Sequence, residues 1–228
     1  MPLTVDPYYL ILVVPTLILS MIAQVKVKST FAKYSKVKCS RGITGVQAAA
    51  ILLKSNNIND VKIEPVGGSL SDHYSPSDKK LRLSEPVYNV PSIAAVGVAA
   101  HETGHAIQHA VHWGPLALRS TLVPAANFGS TLGPWLAIAG LAIFPPLFLI
   151  GIILYTAAVL FYIVTLPVEF NASARAIAIL RSNNVLSESE LKGVKKVLTA
   201  AALTYVASAL TAIMSLLRLV LMANRRRR

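Results

Sequence analysis

The sequence predicts a mainly α-helical membrane protein with a small antiparallel β-sheet and about four transmembrane or membrane-embedded helices. The chain of 228 residues is 54% hydrophobic and 14% charged, and its mean hydropathy of +0.57 is too apolar for an ordinary soluble domain. Apolar runs at residues 8–23, 122–166 and 198–222 predict membrane helices; the first is slightly short of the roughly 20 residues that a span usually needs, and the second is long enough for two spans. Residues 61–84 instead alternate short apolar stretches with Gly-Gly and Ser-Pro-Ser turns, which is typical of short strands.

The first apolar run is a predicted N-terminal membrane anchor, residues 1–25. A cleaved signal peptide is the alternative, but no basic segment precedes the run and a basic cluster follows it. Because positive charge accumulates on the cytoplasmic side, we expect an uncleaved anchor whose N-terminus lies outside the cell. The basic residues that follow the run are Lys26, Lys28, Lys33, Lys36, Lys38 and Arg41.

The pattern His-Glu-x-x-His lies in the helix-forming stretch from Val98 to Ile107. Residues four apart share one face of an α-helix, so His101 and His105 can direct their imidazoles at one metal ion. Glu102 is then placed to hold a metal-bound water and accept its proton. This is the zincin motif, and it predicts a zincin-like metalloprotease domain at residues 26–120, to which the small sheet belongs.

In zincins generally, a strand before the motif helix forms the sheet edge on which an extended substrate lies. Lys80 to Ser84 fits this position, and such pairing would use backbone hydrogen bonds. We expect the motif helix to begin at Pro91-Ser92 and to run to about His112, where Gly114-Pro115 stops it.

The composition restricts the metal and its remaining ligand. Cys39 is the single cysteine, so the site must use His and carboxylate side chains, and the motif indicates Zn²⁺. Glu169 follows an apolar stretch directly and is the natural third ligand, with a headgroup-level carboxylate or a partner of Arg175 as the alternatives. Glu188 and Glu190 are better explained as first-turn residues of a helix that is capped by the pattern Ser187-x-x-Glu190.

His109 continues the i, i+4, i+8 series, yet it lies about 12 Å along the axis from His101, too far to share an ion on a straight helix. The metzincin pattern requires Gly and His three and six residues after the second motif histidine. Gln108 and Val111 occupy these positions, so that class is excluded. We expect His109, like His112, to lie on the outer face of the helix or to contact a metal-ligand side chain without binding the metal itself.

The second half of the chain divides into three predicted segments. Residues 121–166, interrupted by Phe144-Pro145-Pro146, are interpreted as a membrane hairpin. Residues 167–197 form the third-ligand helix and a connector, and residues 198–228 form a C-terminal apolar helix with the basic tail Arg225 to Arg228. A full span at residues 198–222 would place that tail outside, against the positive-inside tendency, so its topology stays open at this point.

With these features in place, the chain resembles the YugP-type membrane zinc metallopeptidases, a family of prokaryotic neutral proteases. The resemblance covers nearly the whole chain. Its segments are Asp72-His73-Tyr74, Lys80 to Ser84, Ala94 to His109 and Leu122 to Ser130.

More distantly, Glu169-Phe170-Asn171-Ala172 is similar to the Glu-aromatic-x-Ala pattern of the HtpX and CAAX prenyl protease clan, where the Glu is the third zinc ligand. An Asp usually follows the Ala in that clan, whereas Ser173 stands here. The resemblance implies a zinc endopeptidase of the prokaryotic cell membrane with His101, His105 and Glu169 as ligands and Glu102 as general base.

The predicted reaction is peptide-bond hydrolysis by a zinc-activated water, with the proton moved by Glu102. A second positive group must stabilise the oxyanion, and Arg175 and His73 are the candidates, each with a purely structural role as the alternative. A non-catalytic zinc-binding scaffold or chaperone is a rival function, but a structural site has no use for a base. Intramembrane site-2 proteases take an Asp from a later membrane helix, and no Asp follows Asp78.

The net charge of +12 predicts a partner as well. The basic residues cluster beside apolar runs and are not interleaved with aromatic residues, which favours anionic lipid headgroups over nucleic acid. We therefore expect an integral protein of the cytoplasmic membrane that acts on a peptide or membrane-protein substrate, with its active site on the cytoplasmic side.

Overall fold

The computed structural model describes residues 6–226, and the side chains of residues 6–225. The first five residues of the predicted anchor, and Arg227 and Arg228 of the predicted basic tail, lie outside the described residues.

The described chain is mainly helical. A π-helical turn, Tyr9–Val13, leads into the first helix. The helices are α1 (Val14–Ser35), α2 (Gly45–Ser55), α3 (Glu85–Tyr88), α4 (Ile93–Ala110), α5 (Gly114–Ala142), α6 (Pro145–Ser182) and α7 (Glu188–Arg226), and the strands are β1 (Lys62–Val66), β2 (His73–Ser75) and β3 (Lys80–Ser84).

The small sheet is mixed, so the predicted antiparallel sheet is wrong in its pairing. Its strand order is β1-β3-β2: β2 pairs antiparallel with β3, whereas β1 pairs parallel with it. The four-residue turn after Ser75 forms the antiparallel hairpin, and residues 67–79 are long enough to carry the chain back to a parallel register beside β1. β3 is consequently the central strand. The prediction that Lys80 to Ser84 offers a free edge to a substrate is also wrong, because both sides of β3 are already paired.

The described chain divides into two compact units. The motif unit contains residues 25–116 and 168–202, and the membrane unit contains residues 6–24, 117–167 and 203–226. Within residues 6–226, three helices are long and apolar enough to cross a membrane: Tyr9–Ser35, Pro145–Ser182 and Glu188–Arg225. The expected first limb of the hairpin, α5, is not among them; Pro, Gly, Ser, Thr and Asn residues interrupt its apolar sequence.

In the membrane unit, small residues allow α5 and α6 to pack with their backbones in contact. A Cβ on Gly129 would overlap the carbonyl oxygen of Leu154. Such close approach is typical of helix pairs in membranes. Arg218 Nε pairs with Asp6 Oδ2 at 2.5 Å, so the end of α7 lies beside the start of the described chain. Residues 198–222, whose topology the sequence left open, belong to α7, which is one continuous helix.

In the motif unit, α4 is buried on nearly every face. Ser92 caps its first turn by accepting a hydrogen bond from the N–H of Ala95, as the sequence predicts. The helix ends at Ala110, two residues earlier than expected, because His112 adopts a left-handed conformation with φ of 49°. Leu81 and Leu83 of β3 belong to the buried cluster that covers one face of α4.

α6 is continuous through Pro167, so the hairpin limb and the predicted third-ligand segment form one helix. Gly104 of α4 allows the two helices to meet: a Cβ at this position would lie 2.6 Å from the carbonyl oxygen of Ala172. That distance is too short for any side chain, so the α4–α6 packing requires glycine here.

We expect Gly104→Ala to destabilise the motif unit by about 1–3 kcal/mol, because overpacking at a backbone contact forces the helices apart. Thermal or urea unfolding of the detergent-solubilised protein measures this effect. Gly67→Ala is the control, since a Cβ at Gly67 meets nothing within 4 Å. Equal stability of the two variants would show that the close contact of α4 and α6 does not matter.

Candidate metal centre

Three side chains from α4 and α6 converge at one point of the motif unit. They are His101, His105 and Glu169, and one ligand atom from each lies within 4.8 Å of the others. The Nε2 atoms of His101 and His105 lie 3.2 Å and 3.6 Å from the same oxygen, Oε2 of Glu169. Among the residues that the structure describes, this is the group of His, Cys, Asp and Glu with the geometry to hold a metal ion.

The local sequence explains why these atoms meet. The four-residue spacing places both imidazoles on one face of α4, where their rings pack edge to face with centroids 4.8 Å apart. On α6, Glu169 lies one turn before Ala172, the residue that contacts Gly104. The close approach of the two helices therefore brings the carboxylate up to the histidines.

The donor set fits a zinc ion. Two imidazole nitrogens and one carboxylate form a ligand set used by catalytic zinc sites, and three protein ligands leave one coordination position for water or substrate. Glu169 is only 2% exposed and His105 is 8% exposed. A carboxylate so far from bulk solvent requires compensating positive charge or donated hydrogen bonds, and a divalent cation would supply the positive charge.

Glu102 adds a second carboxylate to this site. It follows His101 directly and is 8% exposed. Burial lowers the pKa of His105, but the hydrogen bond with Glu169 and the negative charges of Glu102 and Glu169 raise this pKa above its ordinary value overall. The site therefore has a negative potential that favours a bound cation.

The outer nitrogen of each histidine has a neutral polar partner. Ser173 Oγ lies 3.2 Å from Nδ1 of His101, and Gln108 Oε1 lies 3.0 Å from Nδ1 of His105. Ser173 stands where the distant clan has Asp, so an uncharged hydroxyl occupies that place. Sequence reasoning did not assign a role to Gln108; its position three residues after His105, on the same helical face, was the available signal.

The three further candidate residues do not belong to the metal group. Arg175 donates a hydrogen bond from Nε to Asn171 Oδ1 at 2.7 Å. His73 is exposed on the edge strand β2, where its Nδ1 donates to the carbonyl oxygen of Ser71 and its Nε2 accepts from Arg82.

His109 forms a 2.8 Å hydrogen bond with the hydroxyl of Tyr74. Burial and the nearby charge of Asp60 raise the pKa of Tyr74 to about 12, so this hydroxyl stays protonated. Both residues line a cavity of about 300 Å³ at the end of α4. His109 thus lies on the outer face of the helix with a partner of its own.

The acids that competed with Glu169 for the ligand role have other partners. Glu190 accepts hydrogen bonds from the backbone and hydroxyl of Ser187, which is the predicted helix cap, and also from the backbone N–H of Ser40. Glu188 pairs with Arg181 at 2.5 Å. Both roles agree with the sequence prediction for these residues.

Comparison with known proteins adds independent information. A family model described as "Putative neutral zinc metallopeptidase" matches residues 9–224. The chain is also 50% identical over 214 residues to the "Putative membrane protease YugP" of Bacillus subtilis (strain 168), a match that covers 93% of this chain and 95% of that protein. No solved structure is significantly similar to this chain. The chain therefore belongs to the neutral zinc metallopeptidase family that this model describes.

Proposed function

We propose that this protein is a membrane-bound zinc endopeptidase in which His101, His105 and Glu169 hold the metal and Glu102 is the general base. The observation that carries the proposal is the convergence of three ligand atoms within 4.8 Å on two helices. The family match and the three apolar helices support a metallopeptidase at a membrane.

Each residue has a distinct role in the proposed reaction. A zinc ion in this site would polarise the scissile carbonyl and lower the pKa of a water molecule towards about 7. His101 and His105 present their Nε2 atoms, and Glu169 supplies a balancing negative charge. Glu102 accepts the proton of the attacking water and then donates it to the nitrogen of the departing amine, so that the carboxylate is regenerated when the peptide bond breaks.

The number and burial of the ligands favour a catalytic site over a structural one. A structural zinc site is usually closed by four protein ligands, whereas the group within the described residues has three. The low exposure of Glu102 and Glu169 keeps bulk water away, which strengthens the electrostatic interactions within the site.

The surroundings suggest where the enzyme acts. The curated relative is named a membrane protease, and the lysines that follow residue 25 are suited to anionic lipid headgroups. We propose a peptide or membrane-protein substrate rather than nucleic acid, and an active site on the cytoplasmic side of a prokaryotic cell membrane, because the basic residues of the motif unit favour that side.

We expect Glu102→Gln to lose about 10²–10⁴-fold in the rate of peptide hydrolysis while retaining zinc, because the amide cannot accept the proton and the ligands are unchanged. Hydrolysis of a casein or peptide-library substrate and zinc content are measured on the same preparation. Glu85→Gln, an exposed carboxylate on α3, is the control and should retain activity. An active Glu102→Gln variant would exclude Glu102 as the base.

We expect about one zinc per chain in the wild-type protein, and loss of stoichiometric zinc in His101→Ala and His105→Ala. Glu169→Gln should weaken zinc binding about ten-fold or more, because it removes the charge that balances the cation, and Glu169→Ala should weaken it further. His109→Ala should have a smaller effect, since this side chain pairs with Tyr74. Chelator competition gives the affinities. A reversed ranking, with His109 essential and Glu169 dispensable, would contradict the proposed ligand set.

We expect a cysteine at position 33 to be protected from an impermeant thiol reagent in intact cells, because the proposed orientation places the end of α1 in the cytoplasm. The background is Cys39→Ser, although burial already raises the pKa of the Cys39 thiol and limits its reactivity. Pro7→Cys, an exposed position before α1, should react under the same conditions. The opposite labelling pattern would reverse the orientation.

A further inference from the structure

A buried amide lies directly behind one of the proposed metal ligands. Gln108 is 0% exposed, and both its side-chain oxygen and its side-chain nitrogen have hydrogen-bond partners within the motif unit. Its Oε1 lies 3.0 Å from Nδ1 of His105, and its Nε2 donates to the carbonyl oxygen of Val168 at 2.9 Å and to Asn171 Oδ1 at 3.0 Å.

The partners on α6 determine which way this amide points. The carbonyl oxygen of Val168 can only accept, so the NH₂ end of Gln108 must face it. Asn171 Oδ1 is identified as the oxygen because Arg175 Nε, which can only donate, lies 2.7 Å from it. Because the NH₂ group of Gln108 faces these two acceptors, the atom of Gln108 that faces His105 is its oxygen.

The oxygen of Gln108 then determines the tautomer of His105. An amide oxygen can only accept, so Nδ1 of His105 must carry the hydrogen. In the neutral imidazole, the form that binds a metal ion, Nε2 therefore carries the lone pair, and Nε2 is the atom that faces Glu169. Nδ1 of His105 therefore donates to Gln108, and Gln108 in turn donates to the carbonyl oxygen of Val168 and to Asn171 Oδ1. Asn171 Oδ1 also accepts the hydrogen bond from Arg175 Nε.

We infer that Gln108 is a positioning residue for metal binding, which acts by fixing the tautomer and ring orientation of His105, and that Asn171 and Arg175 act by fixing the amide of Gln108. This role rests on the proposed zinc site. It also reassigns Arg175 from an oxyanion contact to a residue that supports the metal ligand His105, because Arg175 Nε donates to Asn171.

The choice of an amide has a physical reason. Metal-bound histidines usually donate their outer N–H to an acceptor that orients them, and a carboxylate is a common acceptor. Glu102 and Glu169 already place two buried negative charges in this site, and a third would add repulsion and desolvation cost. A neutral oxygen orients the ring without that charge.

Zinc affinity of the full-length, detergent-solubilised protein tests the inference, with chelator competition as the readout. Gln108→Met keeps the approximate volume but removes the acceptor, and we expect its zinc affinity to fall about 10–100-fold. Thr103→Val is the control: Thr103 is equally buried on α4, and its hydroxyl bonds only to the carbonyl oxygen of Ala99. Its zinc affinity should match the wild type, even though its stability falls slightly.

A second pair of variants leaves Gln108 in place and tests whether the acceptor on Asn171 holds its amide. Asn171→Asp retains the oxygen that accepts from Gln108 and Arg175, so it should preserve zinc affinity within about three-fold. Asn171→Ala removes one of the two acceptors that hold the NH₂ group of Gln108 and should weaken zinc binding. This pair still gives a result if Gln108→Met does not fold.

Wild-type affinity in both Gln108→Met and Asn171→Ala would overturn the inference. An equal loss in Thr103→Val would also overturn it, because the effect would then be general destabilisation. Failure of the proposed function would give a different result. The wild-type protein would bind zinc and the variants would show the expected ranking of zinc affinity, but no peptide would be hydrolysed. That result would refute the peptidase and leave the positioning role of Gln108 intact.

Discussion

The buried carboxylate of Glu169 is the constraint on which the motif unit depends. An ionised group with 2% exposure is costly unless it is paired, and two imidazole nitrogens within 3.6 Å of the carboxylate form with it a site for a cation that would provide the pairing. That pairing is available only if α4 and α6 lie close enough for their backbones to touch. Gly104 and Ala172 satisfy this requirement, so the position of a proposed metal ligand and the packing of two helices are set by one contact.

The same helix pair also carries the polar groups that orient the site. Gln108 bonds to the backbone of Val168, the residue just before Glu169, and to Asn171 one turn later. A shift of α6 along α4 would break these bonds and would move the carboxylate at the same time. The register of the helices and the geometry of the ligands are therefore coupled, because both depend on a single rotation and translation of α6 against α4.

The predictions from sequence that were wrong concern partners rather than elements. The three strands exist, but the alternation of apolar and polar residues does not specify which strands pair. β3 is the central strand and not, as predicted, an edge strand. The predicted hairpin and the predicted third-ligand segment meet at Pro167, which lies inside the single helix α6, because a proline removes only one backbone hydrogen bond.

The sequence by itself determined the features that depend on the covalent chain and on local helix geometry. The spacing of His101 and His105, the caps at Ser92 and Ser187, and the membrane character of the long apolar runs all follow from residues within one or two turns of each other. Only the tertiary structure decided that Glu169, 68 positions from His101, reaches the same point, and that Gln108 rather than a carboxylate lies behind His105. The reason is that contacts between helices depend on their relative rotation and register, and these are fixed by how small residues such as Gly104 and Ala172 pack, which no local pattern in the sequence specifies.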